Sequence, residues 1–224
     1  MSDAPGSDPF ADGSADLGWI CSTSFVDLAT RTTDPSVRLA GVAWVPEDPD
    51  SHGKPQYFGD IVVPRDSPIQ TFDDLAGRSV GCNDEVSLSG HYAFRIAARQ
   101  RGADPDSYAH LRFTGGHHYS LDQLIAGTLD AAVVDSVVRT SRAMTDPNMS
   151  GLRVIERLGP WPVQPLVASS TLDDATVLRV RNALLASNTD PAMQAELRAA
   201  SLTGFVPVDA NHYLPIRSAL ATVS

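Results

Sequence analysis

Apolar runs of strand length recur along this chain, and between them lie short helical patterns that stop at glycine. "RSVGC" is followed by a helical stretch that ends before Gly102, "AHLRFTG" by "SLDQLIAG", and "DAAVVDS" by "VVRTSRAMTD". Period-two apolar runs bounded by turn residues make strands, whereas a polar cap and a closing glycine bracket a helix; Ser120 and Gly127 are such a pair. Strand–helix alternation with short turns specifies an α/β protein with mainly parallel sheets. Upstream, "DLGWICS", "VRLAGVAWV" and "QYFGDIVV" read as strands, and "TFDDLAG" as one helical turn capped by Thr71 and stopped at Gly77. Downstream, "LRVIERLG" and "QPLVASS" are strands on either side of "GPWPVQP". Helices are expected from Leu172 to Ser187 and from Pro191 to Ala200, followed by a tail.

A chain of 224 residues suits one large domain or two small lobes. Neither "DSPIQ" nor "GPWPVQP" is long enough for a flexible linker, and both suit paired crossings between lobes. The expected division is 1–65 plus 162–224 for lobe one and 66–161 for lobe two, with residues 1–14 disordered. The net charge of −10 argues against nucleic acid or an anionic membrane as the main partner. It leaves a small anion open, because backbone dipoles in a pocket act locally. Cys21 and Cys82 have no CxxC spacing and are expected to be free thiols. The start, "MSDAPGSDPFADGS", has neither the basic nor the apolar region of a secretory signal. The chain as given therefore reads as cytoplasmic, or as periplasmic or extracellular and lipid-anchored if its start is truncated.

Two serines and a glycine crowd into Ser87, Leu88, Ser89 and Gly90, where a helix begins. The first N–H groups of a helix lack intrahelical partners and carry partial positive charge. Hydroxyls beside them complete a cradle for an oxyanion, or simply cap the helix. His117 follows Gly115-Gly116 at a strand end, where α/β sheets bind ligands, and a histidine there can donate to an anion and gain charge near neutral pH. No Cys or carboxylate completes a metal set with His117 and His118. Asp135, ending "AAVVD", either meets a cationic or hydroxyl part of a ligand or caps the next helix. Tyr57, Phe58 and Trp161 either wall a cleft or pack a hinge. No GxSxG, HExxH, Walker A or GxGxxG motif occurs, and no cofactor is implied.

In order, "ADLGWICSTSFVDL", "YFGDIVVPRDSPIQTFDDLAGRSVGCNDEVSLSG", "GGHHYSLDQLIAGTLDAAVVDS", "LRVIERLGPWPVQPLVAS" and "FVPVDANHYLPIR" resemble the phosphate/phosphite/phosphonate ABC-transporter substrate-binding proteins. The resemblance implies a two-lobed type II periplasmic-binding-protein fold and an ABC-transporter permease as partner. It also implies that Ser87, Ser89 and His117 grip a small phosphorus oxyanion, helped by the backbone of Leu88 and Gly90, with Tyr57 and Asp135 beside them. Members of that family carry a further strand, helix and strand ahead of "ADLGW". Lobe one is therefore expected to be incomplete, which would leave sheet edges open to pairing in a homo-oligomer. Phe25 and Gly59 stand where more polar residues are expected. The alternative is a cytosolic enzyme on the same fold, similar to menaquinone- and thiamine-pathway enzymes.

Overall fold

The computed structural model describes residues 8–30 and 35–223. β1 (Leu17–Trp19) leads into α1 (Ser22–Thr30), followed by β2 (Val37–Leu39), β3 (Val42–Pro46) and the long β4 (Gln56–Pro64). Next come β5 (Ser79–Cys82), α2 (Ala93–Gln100), β6 (His110–Phe113), α3 (His117–Ile125), β7 (Ala131–Asp135), α4 (Ser136–Ala143) and β8 (Leu152–Pro162). The remaining elements are β9 (Leu166–Ser169), α5 (Asp174–Ala186), α6 (Pro191–Ala199), β10 (Leu202–Pro207) and α7 (Leu214–Leu220).

Three sheets form, with strand orders β6-β5-β7-β4-β8, β1-β9-β2 and β10-β3. The α/β class is as expected, but the sheets are not mainly parallel. Only β5 pairs in parallel, with β6 and β7; β4 runs antiparallel to β7 and β8, and the two smaller sheets are antiparallel throughout. Parallel neighbours need a crossover connection, and the stretches that join β5, β6 and β7 supply one through α2 and α3. β4 lies within the five-stranded sheet, so the chain passes between sheet groups before Gln56 rather than at 66–70.

Other local differences have physical causes. "VRLAGVAWV" is two strands in different sheets, broken at Gly41, whose φ of 77° is the left-handed turn that glycine permits. β8 continues through "GPWP" with a bulge at Gly159–Pro160, because it is the edge of its sheet, where a proline need not donate to the ladder. The expected tail instead folds as β10 and α7. β10 pairs with β3, far away in sequence, so no local pattern announces it. Of the residues expected to be disordered, 8–14 form turns that bury Phe10, and 1–7 lie outside the described residues.

Alternating side chains build the core. On β4, Ile61 and Val63 face a cluster with Phe72, Phe94 and Ala97, while Val62 faces Leu121 and Leu124 on the other side. On β7, Val133 and Val134 divide in the same way, so α2 and α3 cover opposite faces of the sheet. β9 repeats the device: Val167 meets Phe25, Tyr213 and Ile216, and Leu166 and Ala168 meet Val177, Leu197 and Phe205.

An ion network ties the strands at the junction. Asp60, fully buried on β4, accepts from Arg157 Nε on β8 at 2.9 Å and from Arg139 Nε on α4 at 2.5 Å. Arg157 also pairs with Asp48 and Asp50 in the β3–β4 connection, and its guanidinium lies 4.3 Å from the centre of the Phe58 ring. Removing one partner of a buried pair strands the other charges. Asp60→Ala is therefore expected to lower the unfolding free energy by about 3 kcal/mol, the low end for such losses because both arginines reach solvent. Urea denaturation followed by circular dichroism measures it.

Candidate functional site

The carboxyl ends of β5, β6 and β7 converge on the segment that the sequence singles out. After Cys82 the chain turns at Asn83, and Ser87 begins a π-turn over Leu88–Tyr92 that continues as α2. Ser87 Oγ accepts from Gly90 N at 3.1 Å, and Tyr92 N donates to Ser87 O at 3.0 Å. Ser87 thus caps the helix, as the simpler reading requires. The wider π-turn sets the backbone of Leu88–Tyr92 apart from ordinary helix, a feature common at functional sites. Ser87, Leu88, Ser89 and Gly90 are all buried.

Gly90 is required by close approach. A Cβ there would fall 1.9 Å from Asn83 Oδ1 and 2.9 Å from His117 Cε1. Gly59 is required in the same way, since its Cβ would meet Ser89 O at 2.3 Å. A hydroxylated side chain at position 59 would push the serine segment off β4. Phe25 packs edge-on against Tyr213 with centroids 5.2 Å apart, which is a core role.

His117 is the first residue of α3, with Gly116 as its cap; Ser120, expected as the cap, lies inside the helix, with its Oγ 2.7 Å from Thr114 Oγ1. The Asp135 amide donates to His117 Nδ1 at 3.3 Å, so Nδ1 is an acceptor and the ring proton sits on Nε2. Burial lowers the His117 pKa to about 4. The expectation that it gains charge near neutral pH is therefore corrected: desolvation favours the neutral ring, which serves as an Nε2–H donor.

Asp135 plays more than one part. Its Oδ1 accepts from Val137 N at 2.8 Å and Val138 N at 3.2 Å, capping α4, while Oδ2 accepts from Gln164 Nε2 at 3.1 Å. Burial raises its pKa. Burial, and then the neighbouring Asp135, push the Tyr57 phenol well above 10, with Ser89 close enough to oppose them. Tyr57 therefore remains a neutral hydroxyl beside Ser89 and Asp135. Phe58 and Trp161 lie apart from this group: Phe58 lies against Arg157, and Trp161 packs among three apolar clusters.

Sequence reasoning missed four nearby residues. Thr23, at the start of α1, donates to Val86 O, and Cys21 Sγ lies 3.1 Å from Thr23 Oγ1. Both follow β1 at a strand–helix junction, the same rule that found His117. Asn83 also ends a strand. Gln164 sits between β8 and β9 with no local signal. Asn83 Oδ1 and Gln164 Oε1 are buried acceptors without partners among the described residues. Cys21 and Cys82 are free, and burial raises the Cys82 thiol to about 12. Among the described residues no cluster of His, Cys, Asp and Glu could hold a metal ion, and no helix is long and apolar enough to cross a membrane.

Residues 8–213 match the family described as ABC transporter, phosphonate, periplasmic substrate-binding protein. No curated protein matches the chain. Among solved structures, the chain is similar to a binding protein component of an ABC phosphonate transporter from Pseudomonas aeruginosa: 18% identity, TM-score 0.80, covering 95% of this chain and 70% of that one. A Prochlorococcus marinus protein in complex with methylphosphonate has 16% identity and a TM-score of 0.79, covering 96% of this chain and 80% of that one. The periplasmic aliphatic sulphonate binding protein of Escherichia coli has 18% identity and a TM-score of 0.64, covering 95% and 76%. At these identities the likeness shows the shared fold, the type II periplasmic-binding-protein fold expected from the sequence.

The partly buried, desolvated imidazole has a consequence for stability. Its folded-state pKa of about 4 lies below the unfolded value near 6.5, so the neutral ring favours the folded chain above that value. The advantage disappears as pH falls through about 4, a loss of about 3 kcal/mol. Denaturation at several pH values between about 7 and 4 should show a steeper decline for the parent chain than for His117→Asn.

Proposed function

The chain belongs to the phosphonate ABC-transporter periplasmic substrate-binding family, whose members are solute-binding proteins rather than enzymes, and from this premise we propose that it binds a phosphonate at Ser87–Gly90 and His117. The family acts outside the cytoplasm and delivers its ligand to an ABC-transporter permease. The observation that supports this reading is the crowding of uncharged polar groups around Ser89 and Gly90. Ser89 lies beside the Tyr57 hydroxyl, and Asn83 Oδ1 and His117 Cε1 lie against Gly90, so the Ser89 and Tyr57 hydroxyls and the His117 Nε2–H are the donors this reading assigns to the ligand. Such donors replace the hydration shell of an oxyanion without adding a counter-charge, and a helix start favours the negative group.

Two further features favour a phosphorus oxyanion over a sulfonate. A phosphonate or phosphate near neutral pH carries a proton on part of its population, and a sulfonate does not. Asn83 Oδ1, which lies beside Gly90, is a buried acceptor without a partner among the described residues, to which a P–OH group would donate and a sulfonate could not. In this reading the five-stranded sheet forms one lobe and the two smaller sheets the other. The Thr23–Val86 contact then joins them across the ligand, and closure presents the permease with a changed surface.

A thermal-melt series against phosphate, phosphite, methylphosphonate, aminoethylphosphonate, methanesulfonate and sulfate tests the assignment. Ligand at 100 times its dissociation constant should raise the midpoint by roughly 5–10 °C. A phosphonate should produce that shift and the sulfur anions should not. In the Ser87→Ala, Ser89→Ala double variant, compared with its own unliganded melt, affinity should fall by about tenfold or more. An unchanged shift in the double variant refutes the cradle.

A further inference from the structure

An apolar cavity of about 300 Å3 opens between the sheet groups, lined by Trp19, Trp44, Val137, Ala200, Leu202 and Phe205. Trp19 ends β1, Trp44 lies opposite Phe205 in the β3–β10 ladder, and Val137 comes from the first turn of α4. Elements on both sides of the junction therefore supply its walls, and none of the six carries a charge. Trp19 stacks on Phe205 with centroids 6.3 Å apart yet stays 36% exposed. Two indoles and a phenyl ring around an unfilled space form a surface suited to a flat apolar group.

Three contacts link the walls of the cavity to the residues around Ser87–Gly90. Val137 N donates to Asp135 Oδ1, and the Asp135 amide in turn holds His117. The Trp44 ring lies 6.2 Å from that of Tyr57, the phenol beside Ser89. Cys21, two residues after Trp19, lies 3.5 Å from Val86 O at the head of the serine segment. We propose that this cavity receives an apolar, preferably aromatic, substituent of the same ligand whose oxyanion sits at Ser87–Gly90. The preferred ligand is then an organophosphonate with a hydrophobic group rather than inorganic phosphate or phosphite. This inference rests on the oxyanion reading above.

Isothermal titration of the full chain with methylphosphonate and benzylphosphonate tests it, alongside Leu202→Glu, which sets a carboxylate in the cavity wall. Benzylphosphonate should bind about tenfold or more tightly than methylphosphonate, because its ring leaves water. Leu202→Glu should remove most of that margin, and benzylphosphonate should shift the tryptophan emission of the parent chain where methylphosphonate does not. If methylphosphonate binds and the benzyl compound binds no better, the cavity assignment is overturned and the oxyanion reading stands. A benzyl preference that survives Leu202→Glu, with no change in tryptophan emission, also overturns the cavity. If neither compound binds, the oxyanion reading falls and this inference falls with it.

Discussion

The insertion of Leu88 into a core it does not share by sequence holds the candidate site together. Leu88 belongs to the serine segment after β5, yet its side chain is fully buried among Phe10, Phe25, Val37, Val167, Tyr213 and Ile216. Those residues come from the N-terminal turns, α1, the three-stranded sheet and the elements around α7. Burying a leucine side chain is worth about 1.5–3 kcal/mol, which is enough to fix the two flanking serines relative to β1 and α1. The Thr23 contact to Val86 O, the approach of Gly59 to Ser89, and the burial of Tyr57 all lie close around this one docking.

Around that anchor the two side-chain donors carry no formal charge. His117 is held neutral and the Tyr57 hydroxyl protonated, while burial raises the pKa of the neighbouring Asp135. The buried ion network lies at the junction, in Asp60, Arg139 and Arg157. A site built from dipoles can hold a small anion in a protein whose net charge is −10, since dipoles aligned at short range outweigh a distant and screened monopole. The same division separates roles. The ion network ties the strands that join the sheet groups, and the donors proposed to hold the ligand are uncharged.

Much of this was legible in the residues. The glycine stops of α2 and α3, the strand ends at Asp135 and Cys82, and the crowding of Ser87, Ser89 and Gly90 are local patterns, and local patterns survive without a fold; the cap of α3, expected at Ser120, is Gly116. Ser87 as a cap follows from hydrogen bonding over three residues. Strand direction did not follow, because pairing depends on where distant segments return. β10, paired to β3, and β8, crossing "GPWP" as an edge strand, are the examples. The protonation of His117 was misjudged for the same reason. Sequence places it only at a strand end, and the packing of α3 against β7 is what desolvates the ring.

By itself, then, the sequence determined the α/β class, the family, and which residue types stand at the strand ends, because each of these rests on short-range pattern and chemistry. The tertiary structure alone decided that Thr23 meets Val86 and Gln164 meets Asp135, that Gly59 and Gly90 are required by contact, and that aromatic side chains from separate elements line one cavity. These are meetings between residues far apart in sequence, such as Thr23 with Val86 and Asp135 with Gln164. Such meetings are set by the burial of Leu88 and the register of β4 against β7 and β8, quantities that no local stretch of chain encodes.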